Sequence, residues 1–158
     1  LVLDIANLGD KLNAEIAIKG SNKELEQKIN ADKYPVVALL DSNKEYSGIK
    51  FHGVPGGHEL NSFIIAIYNL AGPGQALDTS VLNEIKSIDK KVNIKIAVSL
   101  SQRLAIENKN IEAEMLDLSE FPELKSKYKI MSVPAIIVND DKLFFGAKKI
   151  DEIIGLLK

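Results

Sequence analysis

The chain repeats itself at a spacing of 99 residues, and no other feature constrains its fold as much. Residues 14–41 and 113–140 align without a gap. Seven of the 28 positions are identical: Ala14/Ala113, Glu15/Glu114, Glu24/Glu123, Leu25/Leu124, Lys28/Lys127, Pro35/Pro134 and Asp41/Asp140. Chance would give roughly two at average residue usage. The apolar pattern agrees as well, because Val36–Leu40 lies over Ala135–Val138, each directly after the shared proline. Two copies of one folding unit are expected, divided by Gly72-Pro73-Gly74-Gln75, two glycines around a proline between helical patterns.

The second copy spells out its elements more fully. Val92–Leu100 is rich in β-branched residues and predicts a buried strand, and Ile111–Leu118 a second. Ser119 reads as the N-cap of a helix reaching about Tyr128. Ala135–Val138, a turn at Asn139–Lys142 and Leu143–Phe145 form a hairpin, and Gly146 leads into a helix with Ile150, Ile153, Ile154 and Leu157 on one face. The first copy predicts strands at Leu1–Ile5 and Ala14–Ile18, a helix at Asn22–Ile29, strands at Val36–Leu40 and Ile49–His52, and a long helix from about Gly57 to Leu70. Helix Thr79–Ile88 then leads into the second copy. The expected class is α/β, each unit a mixed β-sheet with helices on both faces.

Both copies are short at the same place. A parallel strand pair needs a crossover of about a dozen residues, normally with a helix. Only about eight residues separate Ile5 from Ala14, and about ten separate Leu100 from Ile111. Gln102–Glu107 reads as the last turns of a helix whose beginning is absent. Residues missing from the string between Ser101 and Gln102 are therefore the expectation.

Composition excludes several functions. Apolar residues make up 46% and charged residues 27%, the balance of a globular protein, and the net charge of −2 has both signs interspersed. No basic stripe suits nucleic acid or an anionic membrane surface. The longest apolar run, Phe63–Tyr68, is far short of a membrane span, and no basic and apolar leader opens the chain, so a cytoplasmic location is expected. There is no cysteine, which excludes disulfides, thiolate metal sites and thiol catalysis by the residues present. His52 and His58, the only histidines, lack a ligand set, so no metal site is expected. The Gly53–Gly57 segment lacks the residues of a nucleotide-binding loop, and the chain carries no flavin or nicotinamide fingerprint.

The strand order, with a proline just before the third strand of each unit, resembles the thioredoxin fold, and Val133-Pro134 and Tyr34-Pro35 stand where that fold carries its cis-proline. The segment Phe51-His52-Gly53-Val54-Pro55-Gly56-Gly57-His58-Glu59-Leu60 and the helix ending Tyr68-Asn69-Leu70-Ala71-Gly72 resemble the first lobe of tandem thioredoxin-fold proteins. These are the N-terminal domain of the flavoprotein component of alkyl hydroperoxide reductase and the protein disulfide oxidoreductases. Ser99-Leu100-Ser101, Met131-Ser132-Val133-Pro134-Ala135 and Val138-Asn139 extend the resemblance through the second lobe. It implies two tandem thioredoxin-like folds: a redox-silent lobe at 1–71, a linker at 72–78 and a second lobe at 79–158. In such families the segment matching Ser99-Leu100-Ser101 runs directly into C-x-x-C-P, so the redox pair is expected between Ser101 and Gln102, the point where the helix start is missing.

The resemblance implies a disulfide relay in peroxide detoxification. A flavoprotein core with FAD and NAD(P)H, elsewhere in the parent protein, would reduce this domain, which would then reduce the disulfide of a peroxiredoxin. Ser101 would flank the redox pair, Pro134 would face it, Val133 would offer backbone atoms to a partner strand, and Glu59 would shuttle a proton to the buried thiol. The alternatives are a redox-inactive tandem module that binds partners through the cis-proline face, and a free-standing disulfide oxidoreductase with a cysteine pair in each lobe.

Overall fold

A computed structural model describes residues 1–97 and 101–157, with side chains for all of these except residues 58 and 97. Six strands form one continuous sheet in the order β1-β2-β4-β3-β5-β6. The strands are β1 (Val36–Leu40), β2 (Tyr46–His52), β3 (Val92–Ala97), β4 (Ile111–Leu116), β5 (Ala135–Val138) and β6 (Lys142–Phe145). The C-terminal half is complete: β3 and β4 run parallel in the middle, with β5 and β6 antiparallel beside them. The N-terminal half joins it where β2 pairs in parallel with β4 over four residues, Ile49↔Ala113 to His52↔Leu116.

The repeat is visible in three dimensions. Tyr34–Pro35 and Val133–Pro134 are both cis. Each leads into a strand, a hairpin and a second strand, then a glycine with positive φ, Gly53 or Gly146. Each glycine's N–H donates back to the carbonyl of its proline, 2.9 Å away. Asn139 and Asp140 carry the positive φ values (53° and 60°) of a tight turn whose twist suits a hairpin.

Two expected strands are not formed. Leu1–Ile5 lies in a helix, α1 (Val2–Ala6), whose Val2 and Ile5, three residues apart, pack against the core. Ala14–Ile18 has no regular structure, and Ile16 and Ile18 are exposed. The physical reason is the short connection: with about eight intervening residues, two parallel neighbours have no room for a crossover. The other elements stand close to expectation: α2 (Lys23–Lys28), α3 (Leu60–Ala71) after a 3-10 turn at Gly57–Glu59, α4 (Thr79–Lys86), α5 (Gln102–Glu107), α6 (Pro122–Lys127) and α7 (Ile150–Leu157). Asn22 caps α2 by accepting from the Leu25 N–H at 3.0 Å. Ser119 does not cap α6, which starts at Pro122 after Phe121. Its hydroxyl donates instead to Asp117.

The two faces of the sheet differ. One carries Ile49, Phe51, Ile94, Ile96, Ala113, Met115 and Ile136 against α3, α4, α5 and α7, the main apolar core. The Phe51 and Phe63 rings meet edge to face at 5.2 Å. On the other face Phe121, Leu124 and Tyr128 on and beside α6 cover Leu116, Ala135 and Ile137.

Gly48 sits in β2 at φ +82°, where a Cβ would lie 2.8 Å from the Ile111 carbonyl oxygen. Only glycine combines this backbone with so close an approach of the two strands. Gly48→Ala is expected to lower unfolding free energy by roughly 2–4 kcal/mol in urea titration, from clash and backbone strain together.

Candidate functional site

The register places the carboxyl ends of β2, β4 and β3 and the amino end of β5 at one end of the sheet: His52 pairs with Leu116, Ile96 with Met115, and Ala97 with Ala135. The residues one step beyond, Gly53, Asp117 and Pro134, therefore form a row across that end. α5 follows β3 and starts at the same end, directly after Ser101. The segment Ser99–Leu100 lies outside the described residues.

Gly53 makes the row possible. At φ +103° a Cβ would stand 2.9 Å from the Asp117 Cβ. The Asp117 N–H donates to the His52 carbonyl at 3.1 Å, continuing the ladder past β4. Val54, Pro55 and Gly56 then make a tight bend closed by a bond from the Gly56 N–H to the Val54 carbonyl. The bend delivers Glu59 to the interior at the head of α3.

Glu59 is 8% exposed, and its Oε2 has no hydrogen-bond partner among the described residues. Burial, with a smaller contribution from the Asp117 charge, pushes its pKa up to about 7. The carboxyl is thus poised between its acid and base forms near neutral pH. Ser101 is buried, and its carbonyl accepts the Leu104 N–H at 3.0 Å in the first turn of α5. Val133 is exposed beside the cis bond to Pro134, and Met131 next to it is 82% exposed. The structure thus brings Glu59, Ser101, Val133 and Pro134 to the same end of the sheet. Asp117, which helps set the Glu59 proton equilibrium, did not emerge from the sequence. Its signal was its place directly after β4.

A second cluster was also missed. Lys50 and His52 on β2, Asn93 and Lys95 on β3, and Glu112 and Glu114 on β4 form a polar stripe on the α6 face of the sheet. His52 Nε2 and Glu114 Oε2 are hydrogen-bonded at 2.8 Å. Lys50 Nζ lies 3.1 Å from Glu112 and 3.9 Å from Glu114. Lys95 Nζ reaches Glu114 at 3.5 Å and Asp140 at 2.8 Å. The Tyr46 hydroxyl donates to Glu112 at 3.0 Å. Burial pushes the Glu114 pKa up, but His52, Lys50, Lys95 and Asn93 together hold it down at about 2. Asp32, His52 and Glu114 offer three donor atoms within 4.8 Å of one another. The ammonium groups of Lys50 and Lys95 already share Glu114, so the arrangement is a charge-compensated brace between β2 and β4. The signal was period-two alternation in Asn93-Ile94-Lys95-Ile96 and Glu112-Ala113-Glu114-Met115.

Comparison with known proteins bears on this geometry. A thioredoxin domain family matches residues 97–158. The solved structure of the alkyl hydroperoxide reductase AhpF from Enterococcus faecalis is 40% identical, with a TM-score of 0.93, covering 99% of this chain and 80% of that one. The chain belongs to the AhpF family of alkyl hydroperoxide reductases. A structure of the N-terminal domain of the same Enterococcus faecalis protein matches at 38% identity and a TM-score of 0.90, again over 99% of this chain and 80% of that one. The α/β architecture of this AhpF-family chain is therefore that of a tandem thioredoxin-like domain, with its two units sharing one sheet. A protein disulfide oxidoreductase from Aeropyrum pernix is similar in fold, with a TM-score of 0.78 at 22% identity over 88% of this chain and 65% of that one. The Staphylococcus aureus AhpF is 28% identical over 124 residues, covering 72% of this chain and 24% of that protein. The chain spans about a quarter of the length of the curated relatives it matches. Among the described residues no helix is long and apolar enough to cross a membrane.

Two predictions rest on the carboxylates. Glu59 has a raised pKa, so its ionisation opposes folding as pH rises from about 4.5 through 7. Glu59→Gln is expected to gain roughly 1–3 kcal/mol over the parent at pH 8 and almost nothing at pH 4, read from denaturant midpoints. Glu114 has a depressed pKa, so its contribution is complete above about pH 4.5 and is lost as pH falls through 2. Glu114→Gln is expected to cost roughly 3–5 kcal/mol at pH 7, because Lys50 and Lys95 stay buried with less compensation, and to flatten acid unfolding in that window.

Proposed function

We propose that this chain is the disulfide-relay domain of a peroxiredoxin reductase. In this reading a flavoprotein core elsewhere in the parent protein, using FAD and NAD(P)H, reduces a cysteine pair that follows Ser101. The domain then passes two electrons to the disulfide of a peroxiredoxin by thiol–disulfide exchange through a mixed disulfide. The observation that carries the reading is the convergence of Glu59, Ser101 and the cis Val133–Pro134 bond at one end of the sheet, in a chain of the AhpF family.

Each residue has a defined part. Glu59, buried and half-protonated near pH 7, takes the proton from the inner thiol as it attacks and returns it when the disulfide is reduced. Val133 offers backbone atoms to the partner, and Pro134 closes the site opposite Ser101. The first unit supplies Glu59 and carries no redox pair of its own; residues 72–78 link it to the second. The linker has a physical anchor, since the Gln75 N–H donates to Asn69 Oδ1 at 2.7 Å.

The absence of cysteine from the 158 residues favours one other reading, a redox-inactive module that binds partners through the same end of the sheet. Intact mass and tryptic mapping of the purified protein separate the two. The relay predicts a thiol-containing peptide between Ile96 and Arg103. One unbroken peptide Ile96–Arg103 overturns it. In the full-length reductase with its thiols present, Glu59→Gln is expected to slow peroxiredoxin reduction by roughly tenfold or more and to erase the ionisation near pH 7 from the rate profile.

A further inference from the structure

The end of the sheet that holds Glu59 is bordered by apolar side chains from both halves of the chain. Val54 of the first unit is 54% exposed, and Met131 and Val133 of the second are 82% and 59% exposed. The register fixes their separation. Gly53 and Pro134 stand in one row across β2, β4, β3 and β5, three strand spacings, or about 14 Å. About four residues of extended chain span that distance. Between the apolar borders the groups are acidic. Asp117 and Glu120 both come within 3.6 Å of the position a Gly53 Cβ would take, and Glu59 presents a buried oxygen without a partner. In the segment leaving β4, Asp117, Glu120 and Glu123 come first, and Lys125, Lys127 and Lys129 follow along and beyond α6.

We propose that this end of the sheet is a two-unit docking surface for an extended protein segment in which apolar and basic side chains alternate. Val54 on one side and Met131 with Val133 on the other receive the apolar side chains, and Asp117 and Glu120 pair with the basic ones between them. The proposal rests on the reading of Val133–Pro134 as a partner-binding element, and adds to it the first-unit contact and the charge of the partner. Charge complementarity selects the occupant: an acidic segment would set its carboxylates against Asp117, Glu120 and the ionised form of Glu59. Alternation follows from extended geometry, in which successive side chains point to opposite sides, so one set meets the rim while the other reaches the acidic floor. The thioether of Met131 adapts to differing apolar side chains.

The test is an amide-shift NMR titration of the 158-residue chain with two synthetic probes. One is acetyl-Thr-Val-Lys-Val-Lys-Val-Thr-amide, and the other replaces both lysines with glutamates. The proposal expects saturable shifts at both Val54 and Val133 with the lysine peptide, and affinity at least tenfold weaker for the glutamate peptide. Val54→Ser, an exposed position whose change leaves the fold intact, is expected to weaken the lysine peptide about fivefold. Shifts at Val133 with none at Val54 overturn the two-unit surface while leaving the cis-proline element as the partner site. Equal affinity for the two peptides overturns the charge assignment. No shift at either valine overturns both the proposal and the reading beneath it.

Discussion

The parallel pairing of β2 with β4 holds the rest of the structure in place. It is only four residues long, yet it joins the two repeats into one sheet and fixes where the first unit stands relative to the second. On one face the seam is packed by Ile49, Phe51, Ala113 and Met115. On the other it is crossed by the Lys50, His52, Glu112 and Glu114 network. A buried carboxylate with three cationic or hydrogen-bonding neighbours favours one register, because a one-residue slip would turn all of these charges into the apolar core.

The seam is also what creates the site. Glu59 belongs to the first repeat and Asp117, Ser101 and Pro134 to the second. They meet only because His52 and Leu116 are paired in the last rung of the β2–β4 ladder. Gly53 permits the chain to turn at that rung without striking Asp117. A site shared between units joined by so few backbone bonds depends on the ion network for its geometry as much as on its own residues.

Much of this was legible in the sequence, for reasons that can be named. The C-terminal hairpin was plain because Ala135–Val138 is uniformly apolar and Asn139-Asp140 tolerates left-handed backbone. The helix α7 followed from Ile150, Ile153, Ile154 and Leu157 at helical spacing. The repeat exposed the two prolines, and the segment from Gly53 to Glu59 pointed to the family. What misled was extrapolation from one copy to the other. Leu1–Ile5 is as apolar as a buried strand, but without a crossover after it the segment makes a helix that lays Val2 and Ile5 on the core. Short apolar runs do not distinguish these outcomes. The ion stripe escaped because Asn93, Lys95, Glu112 and Glu114 look like surface residues until the sheet is covered by α6.

The strand left at the margin has its own consequence. β1 closes one side of the sheet with Val36-Val37-Ala38-Leu39-Leu40, and every one of these residues is half-buried. The strand has no lysine, no proline and only a late irregularity between Leu39 and Leu40, whereas β6 at the opposite margin opens with Lys142. Such a margin lacks the usual protections against sheet growth. The same ladder geometry that welds the two repeats together is thus offered to any other extended apolar chain, which makes concentration and crowding, rather than unfolding, the first hazard to this fold.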